Sequence, residues 1–409
     1  MPGGLIIIGA SHAGVQLVAR CREFGYDEPI TLINGEPDLP YQRPPLCKDF
    51  LLGKIGESRL SLRPASFFDE ARVELISGNR CVEIDRTART IKLSDRTLLT
   101  YDKLVLATGS RARALPASFG KVPAGVMNLR TLADARRLRE AAQIADNAVI
   151  VGGGFVGLEV ASSLSMLGCH VSLIEFQPRL LARSCSRHLA AAITRTHAGA
   201  GISLHLEAGL VSINAKCNKL DRVTLTNGKT LDADLLLFGI GVSPDVELAD
   251  HAGLPCEDGI IVDEYAQTAD PRILAIGDCT SFPSAQLGIR IRLECIQNAN
   301  DQAATAAAAL VGRPLPYISA PRFWSEQHAS RLQMIGFLDH VDETIKRGED
   351  DRSFSLWHFA QRQLQAVETI NRPEEFVLAR RLISSERFPT PEEVAKPDFS
   401  FQRVVGSQC

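Results

Sequence analysis

Two hexapeptides rich in small residues have the spacing needed to hold a pyrophosphate. The first, Gly9-Ala10-Ser11-His12-Ala13-Gly14, follows the apolar run Leu5-Ile6-Ile7-Ile8. The second, Gly152-Gly153-Gly154-Phe155-Val156-Gly157, follows Ala148-Val149-Ile150-Val151. In such a loop the first glycine makes the tight turn, the second lets the backbone approach the phosphates, and the third lets helix pack on strand. The helix that opens there aims its unpaired N–H groups at the anion. One such motif is common. Two, a nucleotide-binding domain apart, predict two adenine dinucleotides bound side by side, an arrangement suited to passing electrons between them. Ser11 takes the place of the second glycine and is its smallest polar substitute. A nucleophile-elbow reading of the same residues fails, because that turn needs glycine where the chain has Ala13. His12 reads as a helix-start residue without a catalytic role.

Carboxylates stand where ribose hydroxyls would need acceptors. Glu36 follows the second strand of the first half, later than the usual spacing of about 20 residues, and a solvated loop acid is the competing reading. Glu175 ends the corresponding strand of the second half. A carboxylate there accepts from a 2′-hydroxyl and repels a 2′-phosphate, which favours NADH, with Arg179 the nearest cation. Gly277-Asp278 ends a further apolar strand and, with Ala107-Thr108-Gly109, completes a first-domain set in which Asp278 meets a ribityl hydroxyl.

The elements that must position these groups repeat. Helices are expected over Gly14–Phe24 and Val156–Leu167, strands over Ile30–Ile33 and Val171–Ile174, and closing strands at Asp102–Gly109 and Asp234–Gly241. Continuous apolar runs of this kind fit parallel strands covered on both faces. A long helix is expected over Asn298–Leu310. A hairpin (Ser353–Phe359, Leu364–Ile370) and a helix from Asn371 to Ile383 make a small third domain, and the proline-spaced tail after Phe388 is expected along the surface. The fold class is therefore α/β: two Rossmann-type dinucleotide-binding domains plus a small C-terminal α+β domain. The boundaries are 1–114 with 243–317 for the first, split domain, 115–242 for the second and 318–409 for the third.

A length of 409 residues, 45% hydrophobic, with a net charge of −3, fits a soluble enzyme and implies no nucleic-acid partner. No stretch reads as a signal peptide or a membrane span, so the expected location is cytoplasmic. Ten cysteines include no C-x-x-C pair, and neither they nor the histidines, His188, His197 and His205 among them, make a metal-ligand pattern. The missing dithiol speaks against a mechanism in which a cysteine pair relays electrons.

From about Leu5 to Ile383 the chain resembles the FAD-dependent, NADH-dependent ferredoxin reductases of Rieske dioxygenase and cytochrome P450 systems. The resemblance is carried by the two glycine loops, Arg43-Pro44-Pro45-Leu46-Cys47-Lys48, Leu129-Arg130-Thr131-Leu132, Gly239-Ile240-Gly241-Val242, Arg292–Asn298, Phe323-Trp324-Ser325-Glu326-Gln327 and Val367–Pro373. It implies a glutathione-reductase-like fold. It also implies an FAD site touched by Gly9, Ser11, His12, Ala13, Gly14, Glu36, Arg43, Lys48, the backbone at Cys81, Ala107, Thr108, Gly109, Arg130, Asp278 and Ile296. A nicotinamide-nucleotide site would be lined by Gly152, Gly154, Phe155, Val156, Gly157, Glu175, Gly241, Glu294 and Trp324. The chemistry implied is hydride transfer from NADH to FAD, then single electrons to a [2Fe–2S] ferredoxin docked transiently by charge.

Lys48, Glu159 and Trp324 are the candidate catalytic residues. Reduction leaves negative charge on the isoalloxazine, and an ammonium beside it is stabilising. A buried lysine needs a partner, and Glu159, expected in the first turn of the second loop's helix, is expected to pair with it. The competing reading of Glu159 is a carboxylate favoured by the helix dipole. Trp324 reads as a flavin-edge residue or, failing that, a core aromatic. Gly35, Cys47, Cys295 and Arg322 depart from the family pattern; Arg322 with Arg63, Arg290 and Arg292 is expected to shape a basic docking patch. Two other functions remain open: a peroxidase or oxidase cycling Cys47 through sulfenic acid, and a redox-sensing scaffold.

Overall fold

The computed structural model describes residues 4–383 and 388–400. The chain divides into two compact units, each interrupted in sequence. The first comprises the N-terminal segment through Arg43, Gly56–Arg111 and Val242–Ser319; the second comprises Pro44–Ile55, Ala112–Gly241 and the chain from Ala320 onward.

In the first unit a five-stranded sheet runs Ile273–Ala275, Lys103–Leu106, Leu5–Ile8, Ile30–Asn34, Val73–Ser77 from edge to edge. All its pairings are parallel, with Leu5 opposite both Ile30 and Lys103. The four residues Leu5 to Ile8 are all buried, as expected for a central strand covered on both faces. The helix His12–Glu23 lies on one face and shares an apolar cluster with the helix Ile296–Leu310. Ala13, Val18 and Cys21 of the first helix meet Ala299, Ala303, Ala306 and Ala307 of the second, small side chains on both elements.

In the second unit a parallel sheet repeats that order: Val126–Asn128, Leu235–Phe238, Asn147–Val151, His170–Ile174, Ser203–His205. The same unit carries an antiparallel sheet of Arg322–Gln327, Ser330–Gly336, Gln363–Ile370, Ser353–Ala360 and Glu343–Asp350. Leu332, Met334, Phe354, Leu356 and Ile370 of this sheet enter the core that also holds Leu158, Val160, Ala161 and Leu164 of the fingerprint helix.

Several elements differ from the sequence expectation in instructive ways. The first loop's helix starts at His12, because Ser11 takes the extended N-cap conformation. Ile296 opens the long helix, two residues early, since the Cys295 sulfur accepts from the Asn298 amide at 3.5 Å and serves as the cap. The tail is not wholly superficial. Thr390 and Glu393 form a reciprocal capping box, Pro391–Ala395 is helical, and Val394 is buried in a cluster with Trp357 and Phe359. Residues 401–409 lie outside the described part of the chain.

Candidate functional site

In the first unit, Gly9 has φ +111°, and a Cβ there would lie 2.1 Å from the Ala107 carbonyl oxygen across the switch point of the sheet. Gly14 is equally constrained: its Cβ would meet the Gly9 oxygen at 1.9 Å. Ser11 makes no side-chain capping bond, and the helix has no acid in its first turn. The positive end of the helix is thus left for an external anion. His12 and Ala13 begin that helix, Ala13 buried beneath it. Glu36 is held by two side chains, accepting from the Tyr41 hydroxyl at 2.5 Å and from Arg43 at 2.8 Å. The adjacent Gly35 is crossed by the stem of Arg80, whose Cγ would be 2.9 Å from a Cβ. Thr108 donates to the Asp245 carbonyl at 2.6 Å, beside Gly109, and Ser110 donates to Asp278 at 3.2 Å. Cys81, itself buried, opens the strand Cys81–Asp85, its thiol pushed up to about 11 by burial. Ile296 stands at the first helical position after the Cys295 cap, and Glu294 is exposed and paired with Arg292.

The second unit repeats the turn. Gly152 has φ +112°, with a Cβ 2.4 Å from the Gly239 oxygen, and a Cβ on Gly157 would lie 2.1 Å from the Gly152 oxygen. A Cβ on Gly154 would meet nothing within 4 Å, so the backbone at this N-cap faces open space. Glu175 accepts from the amides of Gly153 and Gln177, each at 2.7 Å. Its carboxylate is therefore fixed over the loop with acceptor capacity left for hydroxyl donors. Arg179, the next cation along the chain, donates to the carbonyls of Leu181 and Ala182 at 3.2 and 2.7 Å. Phe155 packs on Phe323 with ring centroids 4.3 Å apart, Val156 is exposed, and Gly241 follows the strand Leu235–Phe238.

A buried charge pair lies in this same unit. Lys48 Nζ is 3.2 Å from Glu159 Oε1, and Glu159 is only 6% exposed. Ser325 donates to the same oxygen at 2.7 Å, and the Cys47 thiol donates to Oε2 at 2.8 Å. Burial, then the Glu159 charge, pushes the Cys47 thiol well above its ordinary range, so it stays protonated. In the strand Arg322–Gln327, residues Ser325 and Gln327 point inward while Trp324 is 37% exposed, which removes the core-aromatic reading of Trp324. Arg130 is half-buried beside the N-cap of the helix Leu132–Ala142.

Residues 4–303 match the family described as pyridine nucleotide-disulphide oxidoreductase, and residues 322–405 match a reductase C-terminal family. The chain belongs to the pyridine nucleotide-disulphide oxidoreductase family. It is 40% identical over 402 residues to rhodocoxin reductase of Rhodococcus erythropolis, covering 98% of this chain and 94% of that protein. The ferredoxin reductase for the CYP199A2 system from Rhodopseudomonas palustris superposes with a TM-score of 0.93 at 39% identity, covering 98% and 99% of the two chains. Putidaredoxin reductase in its covalent complex with putidaredoxin gives 0.94 at 32% identity, with 99% and 98% covered.

For a member of this family, FAD and NAD(H) fit the two loops: both helix starts lack acids in their first turn, and neither N-cap, Ser11 or Gly154, uses a side chain to cap its helix. Of the arginines expected on this oxidoreductase's docking patch, two are engaged internally. Arg290 donates to the Ser281 carbonyl at 2.6 Å and to that of Val262, and Arg292 pairs with Asp258 and Glu294. Arg63 is exposed over the Phe67 ring, and Arg322 is half-buried. Sequence reasoning missed the partners of Glu159 other than Lys48, and the Tyr41 and Arg43 anchor of Glu36. The second was within reach, since the three residues lie close together in the chain; Ser325 lies too far along it to leave a local signal.

Proposed function

We infer that this protein is an NADH-dependent ferredoxin reductase, carrying electrons from NADH through FAD to a [2Fe–2S] ferredoxin that serves a P450 or Rieske oxygenase. The observation that carries the reading is the conjunction of two intact dinucleotide loops with end-to-end likeness to ferredoxin reductases. The chemistry FAD supplies when bound is two electrons in as hydride and one electron out at a time. The chain's own residues do the rest.

Residues 1–114 and 243–317 would hold FAD, with Gly9, Ser11, His12, Ala13 and Gly14 taking the pyrophosphate. Glu36, steadied by Arg43, would take a ribose, Cys81 the adenine edge through its backbone, and Ala107–Gly109, Asp278 and Ile296 the ribityl chain and ring. Residues 115–242 would hold NADH, with Gly152, Gly154 and Gly157 at the pyrophosphate, Glu175 at the adenosine ribose, and Phe155, Val156, Gly241, Glu294 and Trp324 toward the nicotinamide. Lys48 and Arg130 would supply positive charge to the flavin, and Glu159 pairs with Lys48. The carbonyl-bound Arg179 supports NADH over NADPH. Residues 318–409 would form a small α+β domain.

Nine described cysteines are free thiols, which supports a reducing compartment such as the cytoplasm. Among the described residues no helix is long and apolar enough to cross a membrane. The peroxidase reading loses its nucleophile, because a buried, protonated thiol locked onto a carboxylate attacks peroxide poorly.

The test is NADH-driven reduction of a [2Fe–2S] ferredoxin, followed through cytochrome c. Turnover that needs both FAD and ferredoxin is expected. Rapid flavin bleaching by NADH with no transfer to any of several ferredoxins would refute the reading.

A further inference from the structure

Glu159 is the end of a longer chain of buried polar groups, all within the second unit. Ser325 Oγ, which donates to Glu159 Oε1, itself accepts from Gln327 Nε2 at 3.0 Å. With its amide nitrogen so used, Gln327 presents Oε1 to His197 Nε2 at 2.9 Å, and only a protonated Nε2 can satisfy that oxygen. Ser325 and His197 are fully buried, Gln327 is nearly so, and Cys47 approaches the other carboxylate oxygen. Every donor in this array points toward Glu159. Hydrogen bonds aligned head to tail polarise one another, and in a dry core such alignment stabilises the charge at the end of the row. An amide in mid-chain makes a poor proton conductor, so the array is suited to holding a charge in place and not to moving protons.

Resting on the functional reading above, we propose that Ser325, Gln327 and His197, with the Cys47 thiol, are positioning residues that fix the Glu159 carboxylate against Lys48 and so set the charge Lys48 presents to the flavin. The geometry divides the labour: Ser325 shares the oxygen that faces Lys48, while Cys47 holds the other and prevents rotation. Removing either donor concentrates negative charge on the remaining contacts, screens Lys48 more strongly, and makes the flavin harder to reduce.

The thiol provides a direct reporter. In the holoenzyme, the infrared S–H stretch of Cys47, assigned by its loss in Cys47→Ser, should lie below those of the other thiols. It should move up in Glu159→Gln, a weaker acceptor, and further down in Ser325→Ala, where a competing donor is gone. Anaerobic stopped-flow with NADH should show flavin reduction slowed about fivefold in Ser325→Ala and Cys47→Ala, part of the value of one charge-assisted hydrogen bond passed on through Glu159. Ser325→Thr and Cys47→Ser, which retain a donor, should restore it. A band unmoved by Ser325→Ala, or equal slowing in Cys47→Ala and Cys47→Ser, would overturn the proposal. If Ser325→Ala loses its fold, the Cys47 pair and the Glu159→Gln band still decide. A wild-type flavin that NADH does not reduce would refute the functional reading alone, since the infrared arm is independent of it.

Discussion

The two dinucleotide loops share a scaffold and differ in what they do with it. Their parallel sheets have the same strand order, with the fifth strand supplied late in the chain in one (Ile273–Ala275) and early in the other (Val126–Asn128). Their first glycines have φ of +111° and +112°. Yet the first loop carries Ser11 where the second has the bare Gly154, and its acid is clamped by Tyr41 and Arg43 while Glu175 is clamped by backbone amides. The clearest divergence lies seven residues beyond the first glycine. There the first helix has the neutral, half-buried Gln16, and the second has Glu159, buried and bonded to Lys48, Cys47 and Ser325. Backbone geometry lets both loops fit a pyrophosphate; on the function proposed above, a single buried carboxylate would make one of them part of the redox machinery.

The largest expected effect comes from breaking the shared geometry. A β-branched side chain at Gly14 or Gly157 cannot fit against a carbonyl at 1.9 or 2.1 Å, and either should cost about 3 kcal/mol or more. Gly14→Val should purify colourless. Gly157→Val should stay yellow and resist bleaching by NADH, and identical behaviour of the two would erase the division of labour. Next in size, Lys48→Ala should slow flavin reduction by NADH about 100-fold, as for loss of one donor aimed at developing charge. Gln16→Ala, at the site matching Glu159, should change the rate less than about twofold in the same stopped-flow experiment.

Acid should also separate the units. Burial drives His197 from 6.5 down to about 4 in the folded state. The unfolded chain therefore takes up a proton that the folded chain refuses. This part of the stability is complete above pH 6.5 and falls as pH drops toward about 4, by roughly 2 kcal/mol at pH 4.5. Denaturant unfolding at pH 7 and 4.5 should show that loss reduced in His197→Asn. Among the substitutions that remove a charge, the smallest effect is expected for Glu175→Gln, which keeps an acceptor. KM for NADH should rise about tenfold and the preference over NADPH should narrow, read from steady-state kinetics with both nucleotides.

Much of this was legible because it is local. Apolar runs ending in Gly9 and Gly152 marked both loops, and the helices lie within two residues of their expected starts. The pairing of Lys48 with Glu159 followed from asking what a buried ammonium needs. Thr390-Pro391-Glu392-Glu393 carried a capping-box signature that went unread, so the tail helix was missed. The Ser325, Gln327 and His197 array left no such signal. His197, on the helix Arg187–Gly199, read as an ordinary packing or surface residue because its partner, Gln327, lies on a strand far along the chain, and only folding brings them to 2.9 Å.

The measurement that tests the account most directly is an anaerobic titration of the purified yellow protein with NADH. If the flavin is the sole two-electron centre and Cys47 is a protonated hydrogen-bond donor, one equivalent per FAD should bleach the flavin completely. A second equivalent, required in the wild type and no longer required in Cys47→Ser, would contradict it and make Cys47 a redox centre.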